Sequence, residues 1–183
     1  PNPELQNMTR RFRLGLVPAL AVLGLAMGDM LTGRSIHHAL GFRAFAVLQL
    51  ALATPVVLWG GWPFFERAWL SVRTRHLNMF TLIGLGTAAA YLFSAAATVL
   101  PASAFPGAFL EHGAPPVYFE AAAVIVELVL LGQVLELRAR SRVSGAIRAL
   151  LRLAPKTARR LEPGGDERDV EIEQVKPGDR LRV

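Results

Sequence analysis

Four apolar runs, each long enough to cross most or all of a lipid bilayer, constrain this chain more than any other feature. They extend from Leu14 to about Leu31, from Ala44 to Trp59, from Leu77 to Leu100 and from Val117 to Leu137. A helix rises about 1.5 Å per residue and the hydrocarbon layer is roughly 30 Å thick, so runs of this length suit transmembrane helices better than the core helices of a small domain. With 52% hydrophobic and only 19% charged residues, the chain is too apolar for an ordinary soluble domain. The expected fold class is therefore mainly α and membrane-embedded, with four transmembrane helices.

The charge pattern orients these spans. Arg10, Arg11 and Arg13 precede the first, Arg67, Arg73 and Arg75 lie between the second and third, and Arg138, Arg140 and Arg142 follow the fourth. The loop from Pro101 to Pro116 contains no arginine or lysine. By the positive-inside rule both chain ends are expected in the cytosol, although Arg34 and Arg43 run against the pattern. The net charge of +6 is accounted for by these flanking positions, so nucleic acid is not an expected partner. The absence of cysteine rules out a disulfide framework and a thiolate metal site within these residues. The chain starts at Pro1 without an initiator methionine and stops at Val183 inside a strand-like stretch, so both ends are expected to be cuts through a longer protein.

The organisation follows from composition. Residues 1–13 form a cytosolic lead-in, and 14–61 hold two spans ending at Gly60-Gly61, where a sharp bend is expected. In 62–76, Trp62, Phe65, Trp69 and Val72 recur at helical spacing with Pro63 in the first turn, which predicts an amphipathic helix along the cytosolic interface with its arginines toward water. Residues 77–137 hold the last two spans. Beyond Leu137, twelve of the twenty Lys and Arg residues and seven of the fourteen acids accumulate, marking a water-exposed region over 138–183. There, Ser141 to Leu153 reads as a helical stalk ended by Pro155. Thr157 to Leu161, Asp169 to Ile172 and Arg180 to Val183 read as strands between Pro-Gly-rich turns, too few to close a core by themselves.

Ionisable groups inside an apolar span are costly unless paired, hydrated or bound to an ion, which makes each a functional candidate. The fourth run carries Glu120, Glu127 and Glu136. Glu120 and Glu136 lie about 24 Å apart along a straight helix, suited to opposite mouths of a pathway, while Glu127 falls within about 20° of the face of Glu120. Met79 opens the third run at the same membrane depth as Glu136. A thioether is a soft ligand for monovalent copper or silver, and a neighbouring carboxylate adds attraction, so this pair is a candidate transient ion site. Asp29 with Met27 and Met30 makes a similar grouping at the other surface, expected to serve structure or hydration. His37 and His38 are adjacent on a short loop and are weak metal candidates.

Several segments resemble the heavy-metal P-type ATPases, in particular their copper-exporting branch. These are Thr54 through Phe65, Leu77-Asn78-Met79-Phe80-Thr81-Leu82, Tyr118-Phe119-Glu120-Ala121-Ala122 and Leu131-Gly132-Gln133-Val134-Leu135-Glu136. Ala154-Pro155-Lys156-Thr157-Ala158-Arg159 and Val175-Lys176-Pro177-Gly178-Asp179 continue the likeness. The resemblance implies two family-specific helices over 14–61, the first two helices of the common core over 77–137, and the start of a truncated, β-rich actuator domain in 138–183. It implies that Gly60, Gly61, Arg67 and Arg73 belong to a cytosolic platform that receives a copper chaperone or the enzyme's own metal-binding domain. Met79 and Glu136 match ion-receiving residues and Glu120 matches an acid on the release route. Glu127 departs from the usual uncharged pattern and is carried as a further metal candidate.

The function implied is ATP-driven export of Cu(+), or silver, across the cell membrane, a bacterial inner membrane being the expected one. ATP and Mg2+ would act on the longer protein, since the phosphorylation motif, the nucleotide-binding domain, the actuator Thr-Gly-Glu loop and the Cys-Pro-Cys ion site do not occur in these residues. Two alternatives stay open at this point: a zinc or cadmium pump of the same superfamily, and a four-helix channel or anchor with a static glutamate-lined pore.

Overall fold

The computed structural model describes residues 2–33, 39–110, 113–153, 157–161, 167–171 and 174–182. Two compact units form, Pro1–Leu137 and Arg138–Val183. Arg34, His37, His38 and Pro155 lie outside the described residues, as does the predicted turn at Pro163–Asp166.

The first unit is a helical bundle. Helix α1 covers Pro3–Leu31 and starts eleven residues before the apolar run, so the expected lead-in of 1–13 is helical almost throughout. Local chemistry explains the early start: the Asn2 side chain accepts from the Glu4 amide at 3.0 Å, and Pro3 occupies the first turn, where its missing N–H costs nothing. The added turns are anchored, with Met8 buried and Leu5 and Phe12 packed on the core.

Helix α2, Phe42–Thr54, runs directly into a π-helical turn at Pro55–Gly60. The wide turn brings the Gly61 amide to the carbonyls of both Val56 and Val57, at 3.0 and 3.2 Å. A Cβ on Gly61 would lie 2.4 Å from the Val57 carbonyl oxygen, whereas one on Gly60 would find its nearest neighbours at 3.7 Å. The expected bend is therefore present, and Gly61 is the residue it depends on.

Helix α3, Trp62–Arg73, and helix α4, Met79–Val99, pack closely, with Ala68 seated over Gly84. Phe64 stacks on Phe80 with ring centroids 5.9 Å apart. Helix α5, Phe119–Leu153, is continuous, so the stalk predicted over 141–153 is the extension of the fourth apolar run rather than a separate element. Clustered arginines charge a helix but do not break it. Val22, Val56, Val57, Phe64, Phe119, Val126 and Leu130 form the buried centre.

Among the described residues, three helices are long and apolar enough to cross a membrane: Pro3–Leu31, Phe42–Gly60 and Met79–Val99. The apolar part of α5 matches them in length but carries Glu120, Glu127 and Glu136. Large apolar side chains such as Val17, Leu82 and Leu85 are exposed around the bundle, as expected where lipid and not water is the solvent.

In the second unit, β1 (Thr157–Leu161) lies between β2 (Glu167–Glu171) and β3 (Arg180–Arg182), all antiparallel. Thr157 pairs with Glu171 and Leu161 with Arg180. Before β3 the chain turns at Pro177-Gly178, with Gly178 at φ 105° and the Lys176 amide donating to Asp179 at 3.0 Å. Arg159 bridges Asp169 and Glu167 across the β1–β2 pair.

Candidate functional site

The candidate ion-receiving residues share one end of the bundle. Asn78 caps α4 by accepting from the Phe80 and Thr81 amides at 2.9 and 3.3 Å, while Thr81 Oγ1 accepts from the Asn78 amide at 3.1 Å. This reciprocal cap fixes where the helix begins and so fixes Met79 as its first residue. The Met79 side chain is 60% exposed.

A relay of polar contacts runs beside it. Arg67 Nη2 forms a 2.7 Å ion pair with Glu4 on α1, and Arg67 Nη1 donates to Gln133 Oε1 on α5 at 2.9 Å. Gln133 in turn donates from Nε2 to Glu136 Oε2 at 3.0 Å. The Arg67 guanidinium also sits 4.9 Å above the centre of the Phe80 ring, one residue from Met79. Thus Arg67 turns into the bundle rather than toward water as its position in an amphipathic pattern suggested. The reason lies in its partners: a planar guanidinium can serve an acid, an amide and a ring at once. Met79 and Glu136 are brought to the same end through Phe80, Arg67 and Gln133, and Glu136 is exposed there.

The rest of α3 presents Trp62, Trp69 and Val72 outward, and together with Phe65 and Leu85 they line an apolar hollow of about 550 Å³. Trp62 Nε1 donates to Glu66 at 2.7 Å. Arg73 is exposed in the last turn of α3. Arg11, on α1, lies over the Trp59 ring and donates to the Trp59 carbonyl, tying α1 to the π-turn.

Glu120 occupies the opposite end of α5, in its first turn and half-buried. It lines a cavity of about 260 Å³ together with Asp29 and Met30 from the end of α1. Glu127 is not part of either end. It is 5% exposed, packed against Gly15 of α1, and neither carboxylate oxygen has a hydrogen-bond partner. Among the described residues, no three His, Cys, Asp or Glu side chains gather closely enough to hold a metal ion.

Glu4 and Gln133 were absent from the residues singled out by sequence. Gln133 carried a signal, a buried amide three residues before Glu136 on one helix. Glu4 carried none, since its partner lies 63 positions away.

The chain matches no protein-family profile. Among curated proteins it is 55% identical, over all of its length, to a copper-transporting P-type ATPase of Rhizobium leguminosarum bv. viciae. It is 57% identical, over 98% of its length, to a silver exporting P-type ATPase of Salmonella typhimurium, and 49% identical over its whole length to a copper-exporting P-type ATPase of Legionella pneumophila. The chain spans only 22%, 22% and 24% of these three relatives. Identity at this level from end to end is common ancestry: the chain belongs to the heavy-metal P-type ATPases.

Proposed function

We propose that this chain is the ion-receiving part of an ATP-driven exporter of monovalent copper or silver in the cell membrane. The Phe119–Leu137 part of α5 serves as a fourth membrane helix, both chain ends face the cytosol, and the sheet of the second unit begins an actuator domain. A cation delivered by a chaperone, or by a metal-binding domain of the same protein, is received over α3 and the Gly60-Gly61 bend. Met79 offers sulfur and Glu136 a carboxylate, and Glu120 takes part in release at the other end. The observation that carries this reading is the relay Glu4–Arg67–Gln133–Glu136, which holds one carboxylate at the end where α4 begins with Met79. A thioether beside a carboxylate prefers a soft monovalent ion to zinc, and the cargo named for the relatives supports that choice.

The test uses the full-length pump in proteoliposomes. Cu(I)-stimulated ATP hydrolysis is expected, and Met79→Ala and Glu136→Ala should each lower it at subsaturating copper while the purified variants melt at the wild-type temperature. Stimulation by zinc instead of copper would redirect the assignment to a divalent-ion pump. Copper flux through this chain alone without ATP would favour a static channel. Unchanged turnover in both variants would remove the two residues from the receiving role.

A further inference from the structure

A hollow of about 330 Å³ opens between the first turns of α1 and the π-helical turn, lined by Gln6, Asn7, Arg10 and Arg11 from the helix and by Trp59 from the turn. Its walls carry two arginines and no carboxylate. The nearest acid in sequence, Glu4, is already paired with Arg67 at 2.7 Å. Arg11 is fixed in place: Nε donates to Asn7 Oδ1 at 2.7 Å, Nη1 donates to the Trp59 carbonyl, and the guanidinium lies 5.0 Å from the centre of the Trp59 ring. Its Nη2 donates to none of the described residues, and Arg10 makes no hydrogen bond or ion pair with any of them. Two cations therefore share one hollow with N–H groups to spare, and the guanidinium fork suits the oxygens of a phosphate.

The surface beyond the hollow selects the source of that phosphate. Arg10, Leu14 and Val17 stand at i, i+4 and i+7, so they share one stripe of α1. Leu14 and Val17 are exposed, as is Leu58 next to Trp59. A cationic hollow that caps an exposed apolar stripe matches an amphiphile, with its phosphate at the level of Trp59 and its hydrocarbon along the helix. A free phosphate compound would use only the polar half. A zwitterionic lipid would bring an ammonium group that no acid of the hollow answers.

We propose that this hollow seats the phosphodiester headgroup of one anionic phospholipid, with Arg10 and Arg11 holding the phosphate while an acyl chain lies along Leu14 and Val17. In the orientation proposed above, the lipid belongs to the cytosolic leaflet. Its binding involves neither copper nor ATP, so the site stands or falls separately from the export reading.

The experiment uses the full-length pump, delipidated in a neutral detergent, with native mass spectrometry counting bound dioleoylphosphatidylglycerol and, separately, dioleoylphosphatidylethanolamine. The first phosphatidylglycerol is expected to bind about fivefold or more tighter than the first phosphatidylethanolamine. Arg10→Gln should weaken phosphatidylglycerol about fivefold, whereas Arg13→Gln, which removes the same charge outside the hollow, should change it less than about twofold. Because Arg10 bonds to no described residue, Arg10→Gln is expected to melt at the wild-type temperature in the absence of lipid. Equal losses from Arg10→Gln and Arg13→Gln would mean that the arginines attract anionic lipid only as diffuse charge, and the site would be overturned. Equal binding of the two lipids by the wild type would overturn it too. So would displacement of phosphatidylglycerol by equimolar sn-glycerol 3-phosphate, which carries the phosphate without the chains.

Discussion

Gly15 of α1 and Glu127 of α5 occupy one space between them: a Cβ built on Gly15 would stand 1.9 Å from Glu127 Oε1. The carboxylate fills the notch that the absent side chain leaves, and it finds no hydrogen-bond partner there. Gly15→Ala gains about 0.5–1 kcal/mol in helix propensity but must displace the movable carboxylate end of the buried Glu127, so a net loss of no more than about 1 kcal/mol is expected. Glu127→Ala should relieve the clash, so the double variant should lie well above the sum of the singles, with a coupling of about 0.5–3 kcal/mol. Thermal unfolding of the four proteins in detergent measures this directly, and strict additivity would mean that the two residues do not share that space.

The bend after α2 separates two neighbouring glycines that look equivalent in sequence. Gly61→Ala drives a Cβ against the Val57 carbonyl at 2.4 Å, while Gly60→Ala meets nothing nearer than 3.7 Å. Losses of about 1–3 kcal/mol at Gly61 and of under about 0.5 kcal/mol at Gly60 are expected. Equal melting temperatures for the two variants would show that the π-turn does not depend on Gly61.

How much of this was legible beforehand depends on the range of the cause. The three membrane-length helices followed from apolar runs, the bend from Gly60-Gly61, and β1 from its own residues between turn signals. These are local properties that a linear reading can see. The early start of α1 is also written locally, in Asn2-Pro3-Glu4, whereas the arginines at positions 10, 11 and 13 mark the membrane edge and not the helix start. The continuity of α5 through Arg138 and Arg140 is not visible in composition, because a change of solvent along a helix leaves its backbone unbroken. Arg67 is different in kind. Its direction is set by Glu4 and Gln133, on two other helices, and no periodicity within α3 reveals partners 63 and 66 positions away. The Gly15 notch is tertiary in the same sense.

A buried hydroxyl pair between α2 and α4 gives a prediction from proton accounting. Thr54 Oγ1 donates its one proton to the Leu50 carbonyl at 2.6 Å, so the 2.8 Å contact with Tyr91 must have the tyrosine as donor. Tyr91→Phe removes that donor and leaves Thr54 otherwise satisfied, costing about 1 kcal/mol. Thr54→Val strands the Tyr91 proton beside Phe119, against which the ring packs edge-on, and should cost more, about 1–3 kcal/mol. A larger loss for Tyr91→Phe than for Thr54→Val, read by thermal unfolding, would reverse the assigned donor.

Arg67 joins the stability of the bundle to the carboxylate that we assign to ion reception. Its pair with Glu4 is partly exposed, at 32% and 47% for the two side chains, so Glu4→Ala should cost under about 1 kcal/mol. Arg67→Ala also loses the Gln133 bond and the seat over Phe80, and about 1.5–3 kcal/mol is expected. Lysine keeps the charge but not the planar fork, so Arg67→Lys should recover less than half of that loss. The functional consequence passes through Gln133. With Arg67 gone, the amide that donates to Glu136 is no longer held from its oxygen side, and the carboxylate loses one of the contacts that orient it. Arg67→Ala and Gln133→Leu should therefore raise the half-saturating Cu(I) of the full-length pump by similar factors. The double variant should be no worse than the more damaging single, because both cut the same relay. Independent, multiplying effects would mean that Arg67 acts on copper by some route other than Gln133, and the relay would then be structural only.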